Sequence, residues 1–331
     1  MTNKEKYRKL IKSQPSIPIF SRDWWMEAVC GEENWDVLLV EKNNEIIASQ
    51  PYYIHKKYGL KVIRQPILTQ TNGIWIKYPP LQAAIKRLSY EKKVMNDIID
   101  QLLSMEIDWF SQNFHYSITN WLPFYWRGFQ QTTRYTYLIS DINTIDLDDL
   151  PSRFSKSAQS SIRRAEPIVE VKTGLSAQEF YRYHKMVLEK KDAEIIYSFE
   201  TFDRIYNATV RRGFGQTMYT IDQDGVIHSA LFVIWDENSA YLLISALDPD
   251  LKDTGSMSLL RREAIKYVST RTIHFDFEGS MIEGVENSYR QFASVPKPYF
   301  NISFMSRRMR VAYHGKELIN SILNRQTNTY I

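Results

Sequence analysis

Hydrophobic and polar positions alternate in short blocks along the first half of the chain, as in proteins that mix helices with strands. Ser21 can cap a helix over 21–30 that Gly31 ends. The β-rich runs 35–42 and 45–54 flank Asn43-Asn44, two residues that tolerate the positive φ of a hairpin turn. The pattern predicts these further elements: strands over 60–65 and 73–77, a helix over 89–106, a strand over 114–120, a short segment over 123–129 and a strand over 133–140.

The second half repeats this order of elements. It has a helix over 176–191 and a hairpin over 215–235 whose turn is Asp224-Gly225. The remaining predicted elements are a strand over 240–247, a helix over 255–269, a strand over 272–278, a short segment over 284–292 and a strand over 298–305. A repeated order of this length indicates a tandem duplication of one α/β unit. We therefore expect two domains, 1–148 and 149–331.

Residues 150–167 connect the two halves and predict a helix that Pro167 ends. Its apolar positions recur every fourth residue and form one stripe: Leu150, Phe154, Ala158 and Ile162. Basic side chains occupy much of the remaining surface: Arg153, Lys156, Arg163 and Arg164. This basic surface is either simply solvated or the rim of a phosphate-binding site, and the pattern leaves both interpretations open.

Composition narrows the class of protein. The 331 residues are 44% hydrophobic and 24% charged, as in ordinary globular proteins, and the net charge of +4 does not call for DNA as a partner. The single cysteine, Cys30, excludes an intramolecular disulfide, and no spacing of potential ligands resembles a metal site, so we expect no metal. Without a signal-like start or an apolar run of ~20 residues, a cytoplasmic protein with no transmembrane segment is expected.

Two segments of the second half are candidates for chemistry. The loop Lys252–Met257, with Thr254, Gly255 and Ser256, precedes a helix whose free N–H groups and dipole suit a pyrophosphate. In the strand over 272–278, His274, Asp276 and Glu278 alternate and so share one face. Burial or mutual repulsion would raise the pKa of a carboxyl group there and make it a general base. The alternatives are structural: a helix cap for the loop and a solvated sheet end for the strand.

Residues 275–294 (FDFEGSMIEGVENSYRQFAS) and 161–171 (SIRRAEPIVEV) resemble segments of the FemAB-like branch of the GNAT acyltransferase superfamily. The repeated unit as a whole is similar to the GNAT fold. The resemblance implies an α/β fold of two tandem GNAT-like domains, each a mixed, largely antiparallel sheet flanked by helices. Several Fem proteins insert a helical coiled-coil arm that has no counterpart here, so the match is to armless members.

The resemblance also implies roles for individual residues. GNAT proteins bind the pyrophosphate of acyl-CoA at a Gln/Arg-x-x-Gly-x-Gly/Ala loop, to which Lys252 and Gly255 correspond and from which Met257 departs. Fem-like enzymes carry a basic residue shortly before a Phe-Gly, and Arg290, two residues before Phe292, is its counterpart. Arg290 would clamp a phosphate or carboxylate of the donor or acceptor.

The implied function is an N-acyltransferase that joins an acyl-CoA to an amine, such as an amino sugar, amino acid or peptide, in envelope or polysaccharide synthesis. Asp276 or Glu278 would take the amine proton, and a bulge within 241–246 would free a backbone N–H for the acyl oxygen. The candidate substrate-binding residues are Tyr241, Ser245, Tyr289, Tyr125, Trp126 and Asn72. The second half would bind the donor and carry out catalysis. The first half would shape the acceptor site, with residues 69–73, Tyr125 and Trp126 in the cleft wall. Two alternatives stay open: a transferase that uses aminoacyl-tRNA, and a non-catalytic binding module.

Overall fold

The computed structural model describes residues 1–57, 59–279, 281–311 and 313. The helices are α1 (Asn3–Ile11), α2 (Asp23–Cys30), α3 (Ala84–Ser104), α4 (Leu122–Trp126), α5 (Lys156–Ala165), α6 (Ala177–Glu189), α7 (Phe199–Val210), α8 (Ser256–Val268) and α9 (Glu283–Tyr289). The strands are β1 (Trp35–Lys42), β2 (Glu45–Lys57), β3 (Leu60–Arg64), β4 (Trp75–Ile76), β5 (Trp109–Asn113), β6 (Gln130–Ile139), β7 (Glu170–Thr173), β8 (Gly215–Ile221), β9 (Ile227–Trp235), β10 (Ser239–Leu247), β11 (His274–Asp276) and β12 (Val295–Met305).

The described strands form one sheet in the order β1-β2-β3-β5-β12-β6-β11-β10-β9-β8-β7, and β4 pairs with β2. The order is symmetric about the central pair β12–β6, because β5, β3, β2 and β1 on one side correspond to β11, β10, β9 and β8 on the other. Each half places its last strand in the other half's part of the sheet, since β12 pairs with β5 and β6 pairs with β11. This exchange brings β6 beside the strand that carries Asp276.

The parallel pair β10–β11 separates partway along its length. The two strands pair over Ser239–Tyr241 and His274–Asp276, whereas β10 continues to Leu247 along its other neighbour, β9. Leu243 is an extra residue in the β9–β10 register, a bulge that lies within the predicted range 241–246. The β11-facing edge of β10 is thus open beyond Tyr241. In the first half the parallel pair β3–β5 is also short, but β3 ends at Arg64, one residue after its last pair.

Helices cover both faces of the sheet. In the second half, α5 and α8 pack over the face that carries Leu231 and Val233, while α2, α6 and α7 pack over the alternate residues Ala230, Phe232 and Ile234. In the first half, α3 and α4 cover one face and α1 the other. Because α2 belongs to the first half but packs on the second, the two halves share one apolar core.

Local sequence explains most element boundaries. Asn43 and Asn44 have φ values of 53° and 64°, as the predicted two-residue hairpin turn requires. The helix expected from Ser21 begins at Asp23 instead, because Ser21 belongs to a 3-10 turn over Ile19–Ser21 and Arg22 occupies the N-cap position. Helices α1 and α7 are not part of the predicted repeat.

The strand predicted over 114–120 is wrong. The strand at this place is β5, which pairs with residues 301–305 of β12 and ends at Asn113. Residues 115–118 form a turn in which the Ile118 N–H donates to the carbonyl of His115 at 2.9 Å. The alternating polarity of FHYSITN is typical of a strand, but residues 115–118 do not pair. The extent of β5 is set instead by its partner β12, almost 190 residues further along the chain. Likewise, the strands predicted over 60–65 and 73–77 were expected to form a pair, whereas β4 pairs with β2.

Candidate active site

Two carboxyl groups, Asp276 and Glu278, lie where β10 and β11 separate. Asp276 is fully buried, and its Oδ1 accepts hydrogen bonds from the Thr136 hydroxyl, from Gln70 Nε2 at 3.4 Å and from the Glu278 N–H at 2.7 Å. Gln70 also donates to Thr136 Oγ1 at 2.8 Å. Among the described residues, Asp276 Oδ2 and Glu278 Oε1 are buried without a hydrogen-bond partner. The first half supplies two of the three donors and so fixes the orientation of Asp276.

Burial changes the protonation of both carboxyl groups. It raises the pKa of Asp276 from 3.8 to about 6, although the three hydrogen bonds favour the ionised form. It also raises the pKa of Glu278 well above its ordinary value, and the adjacent charge of Asp276 raises it further. The pair therefore binds protons more tightly than exposed carboxylates do, which suits a group that takes a proton near neutral pH.

The backbone after β11 is held in an uncommon conformation. Glu278 has a φ of 57°, in the left-handed region that few residues other than glycine adopt. Gly279 follows, and a Cβ atom there would lie 1.9 Å from the carbonyl oxygen of Tyr135 on β6. The alternation that was predicted to continue to Glu278 ends at Asp276, and this turn instead places the Glu278 N–H on the Asp276 carboxylate.

A groove of about 430 Å³ opens at the start of α8, and we call it the α8 groove. Its walls come from β10, α5, α8, α9 and the segment after α6. The residues that line it are Ser161, Lys191, Ser245, Leu247, Lys252, Gly255, Met257, Ser258, Arg261, Gly284, Val285, Ser288 and Tyr289. Tyr289 joins the groove to the carboxyl pair, because the charges of Glu278 and Asp276 both raise the pKa of its phenol, secondary to burial.

Arg261 lies inside the α8 groove and is only 8% exposed. Its Nη1 donates to Ser288 Oγ at 2.5 Å, and its guanidinium carbon is 5.2 Å and 5.5 Å from the ring centres of Tyr289 and Phe292. The Nε atom is buried without a partner among the described residues. Burial lowers the pKa of Arg261, with the phenol of Tyr289 opposing the change.

A second cavity, of about 500 Å³, lies between the two halves at the opposite end of β10, and we call it the central cavity. Tyr241, Ser239 and His274 line it from the second half, and His115 and Tyr116 from the first. Burial, followed by the nearby charge of His274, lowers the pKa of His115 to about 4. The cavity is therefore lined by imidazole, phenol and hydroxyl groups, with Lys77 and Asp236 as its charged members.

The structure brings together only part of the predicted site. Ser245, Lys252, Gly255, Met257 and Tyr289 line the α8 groove. Thr254 instead donates to the carbonyl of Leu251 and faces His228, and Ser256 is fully buried. Tyr241 and His274 line the central cavity.

Four predicted residues lie away from both openings. Arg290 is 62% exposed at its side chain and contacts Asn287 and Glu286, so the structure does not place its guanidinium in the α8 groove. Tyr125 and Trp126 are exposed on α4, against α3 and Lys92, and are not part of either cleft wall. Asn72 is buried against Met26 and Gln112 in the first half. Its neighbour Gln70 reaches the carboxyl pair in its place.

Gln70 falls within the cleft wall predicted over 69–73, although its contact with the carboxyl pair was not predicted. Sequence reasoning missed Thr136 and Arg261. For Arg261 a signal was present, since it is four residues after Met257 and three before Ala264 and therefore falls within the apolar stripe of α8. Thr136 gave none, because its role depends on the exchange of β6 between the halves. No group of three or more potential metal ligands occurs in the part of the chain that is described, and no helix there could cross a bilayer.

The sheet order, the separating parallel strands and the groove at the following helix define an α/β fold built from two similar units. Residues 152–287 match the family model described as an acetyltransferase (GNAT) domain. The overall fold is similar to that of solved proteins with two GNAT-like units. The predicted fold class is confirmed. No curated protein matches the chain in sequence.

Solved structures share this fold over nearly the whole chain. FemX has a TM-score of 0.69 at 12% identity, covering 95% of this chain and 98% of FemX. A conserved protein of unknown function from Bacteroides thetaiotaomicron has a TM-score of 0.59 at 12% identity, and the match covers 92% of this chain and 97% of that protein. The C-terminal domain of a putative lysylphosphatidylglycerol synthetase from Agrobacterium fabrum has a TM-score of 0.57 at 8% identity. The match covers 96% of this chain and 98% of that domain. At such identities these similarities concern the fold alone.

Proposed function

We propose that the protein is an N-acyltransferase that joins an activated acyl group, carried by CoA, to an amine. One observation carries the proposal: a buried carboxyl pair with raised pKa values lies where β10 and β11 separate, beside a groove at the start of α8. The acyl-CoA would lie in the α8 groove, with its pyrophosphate near Lys252 and Gly255 at the helix start. Its acyl group would extend towards the bulge at Leu243.

The chemistry needs three things from this chain. The amine nitrogen attacks the acyl carbon, the carbon–sulfur bond breaks, and the thiolate of CoA leaves. The Asp276–Glu278 pair takes the proton lost by the amine and returns it to the thiolate. A backbone N–H on the open edge of β10 at Leu243 donates to the acyl oxygen as negative charge develops there. Positioning by the groove supplies much of the remaining acceleration.

The acceptor is an amino sugar, amino acid or peptide amine in envelope or polysaccharide synthesis, and the reaction is cytoplasmic. The central cavity supports this choice, because its hydroxyl, phenol and imidazole groups can hydrogen-bond a polar acceptor. Tyr241 in its wall is the residue of β10 that pairs with Asp276, so the cavity adjoins the carboxyl pair.

An aminoacyl-tRNA donor is the second candidate. The cationic groups of the α8 groove favour it, because they would accept a phosphodiester as readily as a diphosphate. A strong dependence of binding on salt would distinguish tRNA from CoA. A protein that binds either donor without turnover would be a binding module on the same scaffold.

The test measures release of free CoA from acetyl-CoA with a panel of amino sugars, amino acids and short peptides, in parallel with transfer from aminoacyl-tRNA. We expect Asp276→Asn to lower turnover about 10²-fold or more at pH 7 with little change in donor affinity. Asp100→Asn, which removes an exposed carboxylate paired with Arg127, is the matched control. Turnover unchanged in Asp276→Asn would remove this residue from the mechanism.

A further inference from the structure

The guanidinium group of Arg261 is a buried cation without a counterion. Among the described residues it forms no ion pair, and the neutral hydroxyl of Ser288 is its one side-chain hydrogen-bond partner. Its Nε is buried without a partner in the described part of the chain, and its side chain forms part of the groove wall. Burying a charge without a partner is costly, so such groups are normally paired.

The other charged residues that line the α8 groove are also cationic. Lys252 and Lys191 are exposed at its rim, and neither forms an ion pair with a described residue. None of the thirteen residues that line the groove is acidic. Helix α8 begins at Ser256, after its N-cap residue Gly255, and directs its positive end into the same space. The charge of Asp248, which is not among the lining residues, acts on Lys191 and opposes the lowering of its pKa by burial. Three cations and a helix dipole, with no carboxylate among the lining residues, match a ligand with more than one negative charge.

Apolar packing does not explain the arginine. The aromatic rings of Tyr289 and Phe292 hold the guanidinium in place, but their contact is too weak to replace a counterion. A leucine or methionine at this position would fill the same space on α8 without the cost of burying a charge. Packing alone does not require a charge at this position, and the side chain borders an open groove. We therefore infer that the charge of Arg261 binds a ligand there.

We propose that Arg261, together with Lys191 and Lys252, forms a phosphate-binding subsite inside the α8 groove. Arg261 supplies the inner contact, donating through its guanidinium group to phosphoryl oxygens, and the two lysines bind the outer charge. This subsite rests on the proposed function and extends it to residues outside the loop Lys252–Met257. The phosphate comes either from the diphosphate of CoA or from the backbone at the 3′ end of a tRNA, and the experiment separates these sources.

The test compares the wild type with Arg261→Met and Arg261→Lys. Each is titrated with inorganic pyrophosphate, CoA, pantetheine and an aminoacylated acceptor-stem minihelix. Arg262→Met is the matched control, since Arg262 is the next residue of α8 and pairs with Glu166 and Glu263. We expect Arg261→Met to weaken pyrophosphate and the natural phosphate donor about 10- to 100-fold, and Arg261→Lys to weaken them less. Pantetheine, which has no phosphate, should bind all variants equally.

Stability supplies a second readout that distinguishes ligand binding from a structural role. Without ligand, Arg261→Met should unfold at the same or a higher temperature than the wild type, because it removes an unpaired buried charge. A marked loss of unliganded stability, or unchanged pyrophosphate affinity in Arg261→Met, would overturn the proposal. If pyrophosphate binds through Arg261 but neither CoA nor the minihelix does, the subsite is upheld and the proposed donors are wrong.

Discussion

Replacing Asp276 by asparagine should stabilise the protein in a manner that depends on pH. The carboxyl group is fully buried, and its pKa rises from 3.8 to about 6 on folding. Below about pH 4 it is neutral in both the folded and unfolded chains, so it carries no charge penalty. As pH rises towards 6, the unfolded chain loses this proton first, and the fold loses about 1.36 kcal/mol per pH unit. Above pH 6 the loss amounts to about 3 kcal/mol.

Asparagine removes that penalty and keeps the shape of the side chain. Its Oδ1 can still accept from Thr136, Gln70 and the Glu278 N–H, while its NH₂ takes the place of the unpartnered Oδ2 at a constant cost of about 1 kcal/mol. The free energy of unfolding of Asp276→Asn relative to wild type should therefore rise by about 3 kcal/mol between pH 4 and pH 8.

Urea unfolding at pH 4, 6 and 8 measures this difference directly. The same comparison in a Glu278→Gln background removes the electrostatic coupling between the two carboxyl groups. A difference that is constant across pH would refute the reasoning, because it would mean that Asp276 ionises at the same pH in the folded and unfolded chains. The reasoning would also be refuted if the wild type became more stable relative to Asp276→Asn as pH rises.

Three further predictions follow from the same geometry. Acyl transfer by the wild type should increase as pH rises through about 6, where the carboxyl pair becomes able to accept a proton, as kcat/KM between pH 5 and 8 would show; a rate independent of pH would contradict this role. Gly279→Ala should destabilise the protein by about 2 kcal/mol or more in thermal unfolding, because its Cβ would meet the carbonyl of Tyr135, whereas Gly284→Ala has open space and serves as the control. Arg290→Ala should change CoA affinity less than twofold in a titration, since the arginine contacts only Asn287 and Glu286; a tenfold loss would restore its predicted role as a clamp.

The sequence predicted those parts of the fold that local chemistry determines. Asn43-Asn44 and Asp224-Gly225 specify their turns, and apolar periodicity locates α3 and α8 within a few residues. It failed at 114–120, because β5 is a short strand whose extent is set by β12. No local pattern records which strand, almost 190 residues away, will lie alongside.

The candidate site likewise contains residues that the sequence predicted and residues that it did not. Asp276 and Glu278 stand out in sequence because two carboxylates close to a buried strand are unusual. Their partners Gln70 and Thr136 do not, because isolated polar residues in strands and loops occur throughout the chain. Arg290 was selected by resemblance, and the structure places it on the surface. Arg261 became conspicuous only once its burial and the absence of a counterion among the described residues were known.

The exchange of β6 and β12 makes the duplicated halves an obligate pair. A chain cut after residue 148 would leave the second fragment without β6, the strand beside Asp276, and the first without β12, the strand beside β5. Each fragment would expose an unpaired strand in the middle of its sheet and would tend to aggregate or rejoin its complement. The arrangement resembles a domain-swapped dimer in which both units belong to one polypeptide and exchange their last strands. Mutations in the first half can therefore disturb the carboxyl pair by loosening the strand that supports it.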